Sequence, residues 1–196
     1  MPRQQQCPKE RLVQAALKLF ATRGYHNTSI EDILRQSDCT RGALYYYFSS
    51  KEELGYAVID EELRLLFEEG EGRLLQTEGH PIDVLVAVLD MLPRTSRLDA
   101  VGSSVTDIAA RMAAVHEGFR NRLAQGLERA LEQLEEMLRR GVAEGQIVDT
   151  VDPYRLARVV ATMGAGIQFG KLLWNQDEIW EEGRRWLKEY LNTLRR

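Results

Sequence analysis

Residues 28–51 constrain the fold more than any other stretch, because their pattern predicts two short helices joined by a tight turn. Thr28 and Glu31 have the spacing of a capping box, in which two side chains satisfy free amides at the start of a helix. We therefore expect a helix to begin at Ser29. Thr40 has the chemistry of a second N-cap and predicts another short helix after it. Helices of about two turns are unstable alone, so both require neighbours.

The second short helix should expose a face suited to a nucleic acid. Leu44 and Phe48 lie one turn apart and are expected to be buried, which directs the other side chains outward. Those are one cation, two very small residues and three phenols: Arg41, Gly42, Ala43, Tyr45, Tyr46 and Tyr47. Tyrosine hydroxyls donate to phosphate oxygens, and arginine can reach a phosphate or a guanine. Lys51 begins a third helix, where the helix dipole favours acids, and a phosphate partner would explain it.

Two short helices of this kind form a helix-turn-helix. Over Arg11 to about Leu54, and most specifically at Thr28–Ile33 and Thr40–Phe48, the chain resembles the tetracycline-repressor (TetR) family of bacterial transcription factors. The resemblance implies a homodimeric repressor that binds double-stranded operator DNA and responds to a small-molecule effector, here unknown. It implies a DNA-binding domain over residues 1–51 and a ligand-binding and dimerisation domain over residues 52–196.

The charge distribution agrees with DNA binding at one end of the chain. The net charge is −4, but residues 1–51 hold eight Lys and Arg against four Asp and Glu. Residues 52–196 hold eighteen against twenty-six, so this acidic remainder should avoid DNA. No run of eighteen apolar residues and no signal peptide is indicated, which predicts a cytoplasmic protein without a membrane span.

Apolar residues recur at helical spacing throughout, and no alternating strand pattern occurs. The sequence therefore predicts an all-α fold of about nine helices. The first helix should bury Leu12, Ala16, Leu19 and Phe20 and end at Gly24. The later helices are predicted over Lys51 to the Leu74–Leu75 region, Asp83–Leu92, Val105–Val115, Glu117–Val142, Pro153–Trp174 and Asp177–Leu194.

The expected DNA contacts fall into two groups. We expect phosphate contacts from Thr40, Tyr45, Tyr46 and Lys51, whereas Arg41, with Gly42 and Ala43, should face base edges. By resemblance, Thr28 should also touch a phosphate from the N-terminus of its own helix. A symmetric dimer presents two such helices to successive major grooves roughly 34–36 Å apart, which predicts a palindromic operator.

An effector pocket is expected between the helix that follows Lys51 and its neighbours. Its candidate residues are Phe67, Leu89, Leu92, Ile108, Met112, Phe119, Leu123, Met163, Ile167 and Trp174, with polar contacts from His116 and Gln168. Aromatic residues and methionines at helical spacing are what ordinary cores contain, so plain core packing is the simpler interpretation of each.

The last two helices are predicted to form the dimer interface as a four-helix bundle. Gly166 and Gly170 lie four residues apart and would let a second helix approach closely. Large apolar residues on the final helix indicate a partner surface, and the expected contacts are Trp186, Leu187, Tyr190 and Leu194. The alternative is that the glycines make room for a ligand or bend the helix.

Other classes of protein have weaker support. No nucleophile with a paired base, no suitable carboxylate pair and no glycine-rich phosphate loop stands out, so we predict no enzyme activity and no cofactor. Cys7 and Cys39 lack the spacing of a metal or disulfide framework, and the three histidines are isolated. We interpret Cys39 as a small, buried or half-buried turn residue rather than a redox switch. A protein-interaction module and a ligand-independent DNA-binding regulator remain as alternatives.

Overall fold

The computed structural model describes residues 7–65, 67, 78–91, 111–174 and 177–196, without the side chains of 168–174, 177 and 179. The described residues form helical segments and one isolated β-bridge, between Ile147 and Arg195. The helices are α1 Pro8–Arg23, α2 Ile30–Ser37, α3 Arg41–Tyr47, α4 Lys51–Arg64, α5 Pro81–Met91, α6 (residues 111–115), α7 Glu117–Ala143, α8 Pro153–Trp174 and α9 Asp177–Thr193. The all-α prediction is confirmed.

The chain divides into two compact units. Unit 1 comprises Met1–Arg64 and Arg97–Gln125, and unit 2 comprises Leu65–Ser96 and Gly126–Arg196. Unit 1 thus contains α1 to α4, α6 and the start of α7, while unit 2 contains α5, the rest of α7, α8 and α9. The predicted functional boundary after residue 51 stays a prediction.

Local capping chemistry sets the ends of the first four helices. Gly24 ends α1 with φ of 83° and its N–H donates to the carbonyl of Phe20 at 3.0 Å, a conformation that favours glycine. Thr40 Oγ1 accepts the N–H of Ala43 at 3.1 Å and begins α3, as predicted. Ser50 Oγ accepts the N–H of Glu53 in the same way and precedes α4.

The start of α2 differs from the prediction. The helix begins at Ile30, and its N-cap is Ser29, whose hydroxyl accepts the N–H of Asp32 at 3.1 Å. The carboxylate of Asp32 in turn accepts the backbone N–H of Ser29, also at 3.1 Å, so the capping box is formed one residue later than expected. The role predicted for Thr28 as the cap is therefore wrong.

The core of unit 1 fixes α2 and α3 against α1. The four apolar residues predicted for the inner face of α1 are buried, and so are Ile33 of α2 and Leu44 of α3. Met112 and Phe119 complete the same core from α6 and α7. Because α2 and α3 are only eight and seven residues long, this burial holds them in place.

In unit 2, α5 begins two residues earlier than predicted because a histidine caps it. His80 Nδ1 accepts the backbone N–H of Ile82 at 3.1 Å, and its Nε2 lies 3.1 Å from the carbonyl of Gln146. α7, α8 and α9 match the predicted ranges to within a residue. The predicted continuation of α4 to the Leu74–Leu75 region and the stretches 92–110 lie outside the described residues, apart from residues 65 and 67.

The core of unit 2 contains a buried cation. Arg184 is 6% exposed, and its guanidinium contacts the carboxylates of Asp90, at 3.0 Å, and Glu181. It also lies 4.7 Å from the ring centroid of Trp180. The burial of this charge is offset by hydrogen-bonded acids and by the aromatic face, so Arg184 joins α9 to α5 within the unit.

Candidate nucleic-acid interface

The outer face of α3 has the composition and exposure that a groove-binding helix requires. Tyr46 is 81% exposed and Tyr45 47%, whereas Leu44 on the opposite face is fully buried. Arg41 and Gly42 are also exposed. A Cβ added at Gly42 would meet only Thr40 Oγ1, at 3.9 Å, so nothing in the described chain requires glycine at this position. The glycine leaves the helix backbone accessible to a partner from outside.

Tyr47 differs from the two tyrosines before it. Its ring is half-buried and packs against the core of unit 1. The ring of Tyr46 meets it edge to face, with centroids 4.8 Å apart. Tyr47 therefore anchors the end of α3 and orients Tyr46, whereas Tyr45 and Tyr46 keep their hydroxyls available for donation.

Arg41 is held in an ion pair that no sequence pattern predicted. Its guanidinium contacts the carboxylate of Glu31, in the first turn of α2, and both side chains are more than half exposed. An exposed pair of this kind contributes little stability and exchanges readily. Glu31 therefore occupies Arg41 in the free protein and competes with any base or phosphate that Arg41 contacts. A carboxylate can also accept a hydrogen bond from a cytosine amino group.

Thr28 is not placed to contact a phosphate. The residue is 1% exposed, and its hydroxyl donates to the carbonyl of Gly24 at 2.9 Å and lies 3.4 Å from that of Leu19. These bonds tie the turn before α2 to the end of α1. The phosphate contact predicted for Thr28 is therefore wrong for the conformation described, because the hydroxyl is buried and already donates.

Lys51 is held at the start of α4 by an aromatic ring. Its Nζ lies 4.3 Å from the ring centroid of Tyr25, and burial lowers the pKa of the ammonium below its ordinary value. Tyr25 in turn packs edge to face against Phe20 and Phe119, with centroids 5.1 and 5.0 Å apart. The position of this cation is thus set by the core, which reduces the entropy lost when it binds a phosphate.

Phe119 connects this aromatic cluster to the start of α7. Its ring contacts those of Tyr56, at 5.1 Å between centroids, and His116, at 4.5 Å. A Cβ at Gly55 would come within 2.5 Å of the Phe119 ring, so α4 and α7 approach as closely as they do because residue 55 is glycine. His116 Nε2 lies 3.5 Å from a carboxylate oxygen of Glu52.

The structure distributes the predicted effector-pocket residues over the two units. Met112 and Phe119 are buried in the core of unit 1, where His116 and Leu123 are half-buried. Leu89 is buried in unit 2, and Phe67, Met163 and Ile167 are half-buried there. Leu92, Ile108 and the side chains of Gln168 and Trp174 lie outside the described residues. Glu62 is also buried, although it is not among the residues predicted from the sequence, where an acid on the apolar face of α4 was a visible signal.

The residues predicted for the dimer interface separate into an exposed group and a buried group. Trp186 is 55% and Tyr190 39% exposed, and their rings stack with centroids 5.6 Å apart. Gly166 is exposed, with no described atom near its Cβ position. Leu187 and Leu194 are buried in the core of unit 2, so their assignment to the interface is wrong. The predicted packing around Gly170 lies outside what the structure describes.

Other kinds of site find no support in the described part of the chain. Cys39 is half-buried in the turn before α3, as predicted, with Sγ 3.5 Å from the carbonyl of Ser37. Over the described ranges, no three His, Cys, Asp or Glu side chains are grouped so that they could bind a metal ion. None of the helices described here combines the length and the apolar character that crossing a membrane requires.

The model of the bacterial regulatory protein family named tetR matches residues 12–58, which run from α1 into α4 and include the whole helix-turn-helix. The helix-turn-helix domain of this chain is that of the TetR family, and its fold is TetR-like. An uncharacterised helix-turn-helix transcriptional regulator of Lactococcus lactis is 31% identical to it over 119 residues, which cover 60% of this chain and 61% of the relative.

Two further comparisons extend beyond the helix-turn-helix. The A-factor receptor protein of Streptomyces griseus is 27% identical over 158 residues, 80% of this chain and 52% of that protein. The chain thus spans less than two thirds of the length of both relatives. A crystal structure of a TetR transcriptional regulator from Chloroflexus aurantiacus matches with a TM-score of 0.82 and 26% identity, covering 96% of each chain.

Proposed function

We propose that this protein is a transcriptional repressor that binds a palindromic operator as a homodimer and leaves it when a small-molecule effector binds. The observation that carries the proposal is the outer face of α3, where Arg41, Gly42, Tyr45 and Tyr46 are exposed on a helix that the core holds rigidly. Operator DNA would place the protein in the cytoplasm.

On DNA, α3 would enter the major groove. Tyr45, Tyr46 and the hydroxyl of Thr40 would donate to phosphate oxygens, and Lys51 would pair with a phosphate beside them. Arg41 would leave Glu31 and donate to a base edge, a guanine being the commonest acceptor for arginine. The small side chains of Gly42 and Ala43 would let the helix approach the bases.

The dimer surface is proposed on the exposed faces of α8 and α9. On α9 it contains the stacked pair Trp186 and Tyr190, which are large and apolar for residues facing water. On α8 it contains Val159, which is 47% exposed, and the exposed Gly166, seven residues later on the same helical face. Two copies of this helix pair would bury both patches in a four-helix bundle.

Two observations support release by an effector: the similarity to a receptor protein and the buried carboxyl of Glu62. The relative from Streptomyces griseus is named as a receptor for A-factor, which makes ligand response a reasonable expectation for a chain that matches it over 158 residues. Within unit 1, Glu62 is a buried carboxyl among apolar residues and supplies a polar group for a ligand to recognise. A regulator without a ligand is the alternative outcome of the tests below.

Selection of duplexes from random DNA by the full-length protein tests the DNA-binding proposal. We expect the enriched sequences to contain an inverted repeat, and we expect affinity for it to fall linearly on a log–log plot as salt increases. Sedimentation should show a dimer that a Trp186→Glu variant converts to monomer. Enrichment of an unrepeated site by a monomer, or no enrichment at any salt concentration, would contradict the proposal.

A further inference from the structure

Glu62 is the exception on the inner face of α4. That face otherwise presents Leu54, Gly55, Val58 and Ile59 to the core of unit 1, at spacings of three and four residues. Glu62 continues the same stripe one turn further along the helix and is only 6% exposed. A carboxyl in such a position loses much of its hydration, and its charged form is destabilised unless a partner compensates for this loss.

Two polar side chains in this part of unit 1, Arg64 and Gln14, are directed to the neighbouring Glu61. Arg64 directs its guanidinium to Glu61, with Nε and Nη2 at 2.8 and 3.0 Å from the two carboxylate oxygens. Gln14 of α1 also donates to Glu61, at 3.4 Å. Among the described residues, no hydrogen bond or ion pair is formed by Glu62. Glu61 and Glu62 are adjacent on α4 and differ in this respect: Glu61 is paired, whereas Glu62 has no partner among the described residues.

The pKa of the Glu62 carboxyl reflects this burial. Burial, with a smaller contribution from the neighbouring charge of Glu61, raises the pKa of the Glu62 carboxyl from 4.5 to about 7. Near neutral pH the group is therefore divided between a neutral and an ionised form. A positive charge placed beside it would hold it ionised, which is the exchange that a ligand can drive.

We propose that Glu62 is the anchor of the effector site and that the effector is a small organic cation, a protonated amine or quaternary ammonium on an apolar body. The carboxylate would pair with the positive group, and the apolar body would displace part of the core packing beside Val58 and Ile59, which are buried in the structure described here. This assignment rests on the proposed function, because it names the class of the effector.

The position of Glu62 also suggests how binding would reach the DNA. Lys51, the proposed phosphate contact, begins α4, and Glu62 lies eleven residues later on the same helix, roughly 16 Å along its axis. A ligand that displaces the end of α4 around Glu62 would displace its beginning as well. The helix α4 would then carry both the phosphate contact of Lys51 and the ligand contact of Glu62.

Calorimetric titration of the full-length protein tests the assignment without DNA. The probes are benzyltrimethylammonium, tetrabutylammonium and, as an uncharged compound with the same ring, benzyl alcohol. At pH 7.5 we expect at least one of the two cations to bind ten times more tightly than benzyl alcohol. The Glu62→Gln variant should lose at least tenfold of that affinity, whereas Glu61→Gln should keep it.

Folding and operator binding are measured separately so that failures can be distinguished. Circular dichroism checks that Glu62→Gln is folded, and Glu62→Asp provides a second variant that keeps the charge and should keep most of the affinity. Failure of both cations to bind at millimolar concentration, equal binding by Glu62→Gln, or equal binding of benzyl alcohol would each overturn the assignment. Tight, Glu62-dependent binding without release from the operator would uphold the cation site and contradict the proposed release mechanism instead.

Discussion

Among the residues that the structure describes, each unit buries one charged side chain, and the surroundings of the two differ. Arg184 in unit 2 contacts two carboxylates and an aromatic ring. Glu62 in unit 1 has no hydrogen-bonding or ionic partner among the described residues. A buried charge with partners connects helices, whereas one without partners destabilises the fold and calls for a functional explanation. The first is therefore structural, and the second points to a ligand.

The same distinction separates the exposed ion pairs. Arg41 and Glu31 are both open to water, so their pair can exchange for a DNA contact at little cost. Arg184 is buried, so exchanging its partners would require its side chain to leave the core of unit 2. Exposure thus indicates which cations of this chain are free to change partner.

The largest expected effect is on the structural charge. Arg184→Ala should lower the free energy of unfolding by about 2–4 kcal/mol, because it removes the cation of Glu181, leaves Asp90 with Lys188 as its remaining cation, and removes the packing against Trp180. Urea denaturation of the full chain measures it. The matched control is Arg185→Ala, the next residue, whose pair with Glu182 is exposed and should contribute less than about 1 kcal/mol. If the free energy of unfolding fell equally in the two variants, the buried pairs of Arg184 would be no more stabilising than an exposed pair, which would contradict the prediction.

The functional charge should produce a pH-dependent effect. The folded-state pKa of Glu62, about 7, lies above its ordinary value of 4.5, so the folded protein binds the proton more tightly than the unfolded chain. Stability should therefore fall as pH rises from about 5 to about 8, by roughly 2 kcal/mol after solvent screening is allowed for. Denaturation of the Glu62→Gln variant should lack this decline. If the decline in stability persisted in Glu62→Gln and vanished in Glu61→Gln, its cause would be Glu61, and the assignment to Glu62 would be wrong.

A smaller effect is expected from the proposed phosphate contact. Lys51→Ala should weaken binding to operator and random DNA alike, roughly eightfold at 0.1 M salt, and should reduce the salt slope by about one unit. Fluorescence anisotropy over a salt series measures both quantities. Arg185→Ala serves again as a control, since it removes one exposed cation from unit 2. An unchanged slope in Lys51→Ala would show that this ammonium does not contact a phosphate.

The smallest effect should come from the exchangeable pair. Glu31→Gln should change the free energy of unfolding by less than about 0.5 kcal/mol, because the pair is exposed. It should nevertheless raise DNA affinity about twofold, since Arg41 no longer has to leave a carboxylate. Weaker DNA binding by this variant would indicate that Glu31 itself accepts a hydrogen bond from a base.

Periodicity and capping chemistry predicted most of the fold, since the ranges of α7, α8 and α9 and the buried faces of α1 and α3 follow from them. The exceptions have local causes. Neighbouring hydroxyls at Thr28 and Ser29 are equivalent in sequence, and only the buried bonds of Thr28 to α1 assign the cap to Ser29. Leu187 has the same spacing pattern as the exposed Trp186, and only the tertiary packing of α9 shows which one is buried.

The candidate sites were predictable to different degrees for similar reasons. The outer face of α3 follows from a single short helix with one apolar stripe, so its exposed residues could be named from the sequence. The pair between Arg41 and Glu31 depends on the angle between two helices, which no spacing encodes. Glu62 was visible as an acid in an apolar stripe, but its lack of a partner required the positions of Arg64 and Gln14.

Selection from random DNA by the wild type and by the Arg41→Ala and Lys51→Ala variants tests the central claim, that the outer face of α3 binds the operator. We expect an inverted repeat for the wild type and the same repeat, bound more weakly, for Lys51→Ala. For Arg41→Ala we expect the preference at one base pair in each half-site to be lost, which weakens binding to the wild-type operator by about 1–3 kcal/mol. An identical consensus and affinity for wild type and Arg41→Ala would contradict the central claim.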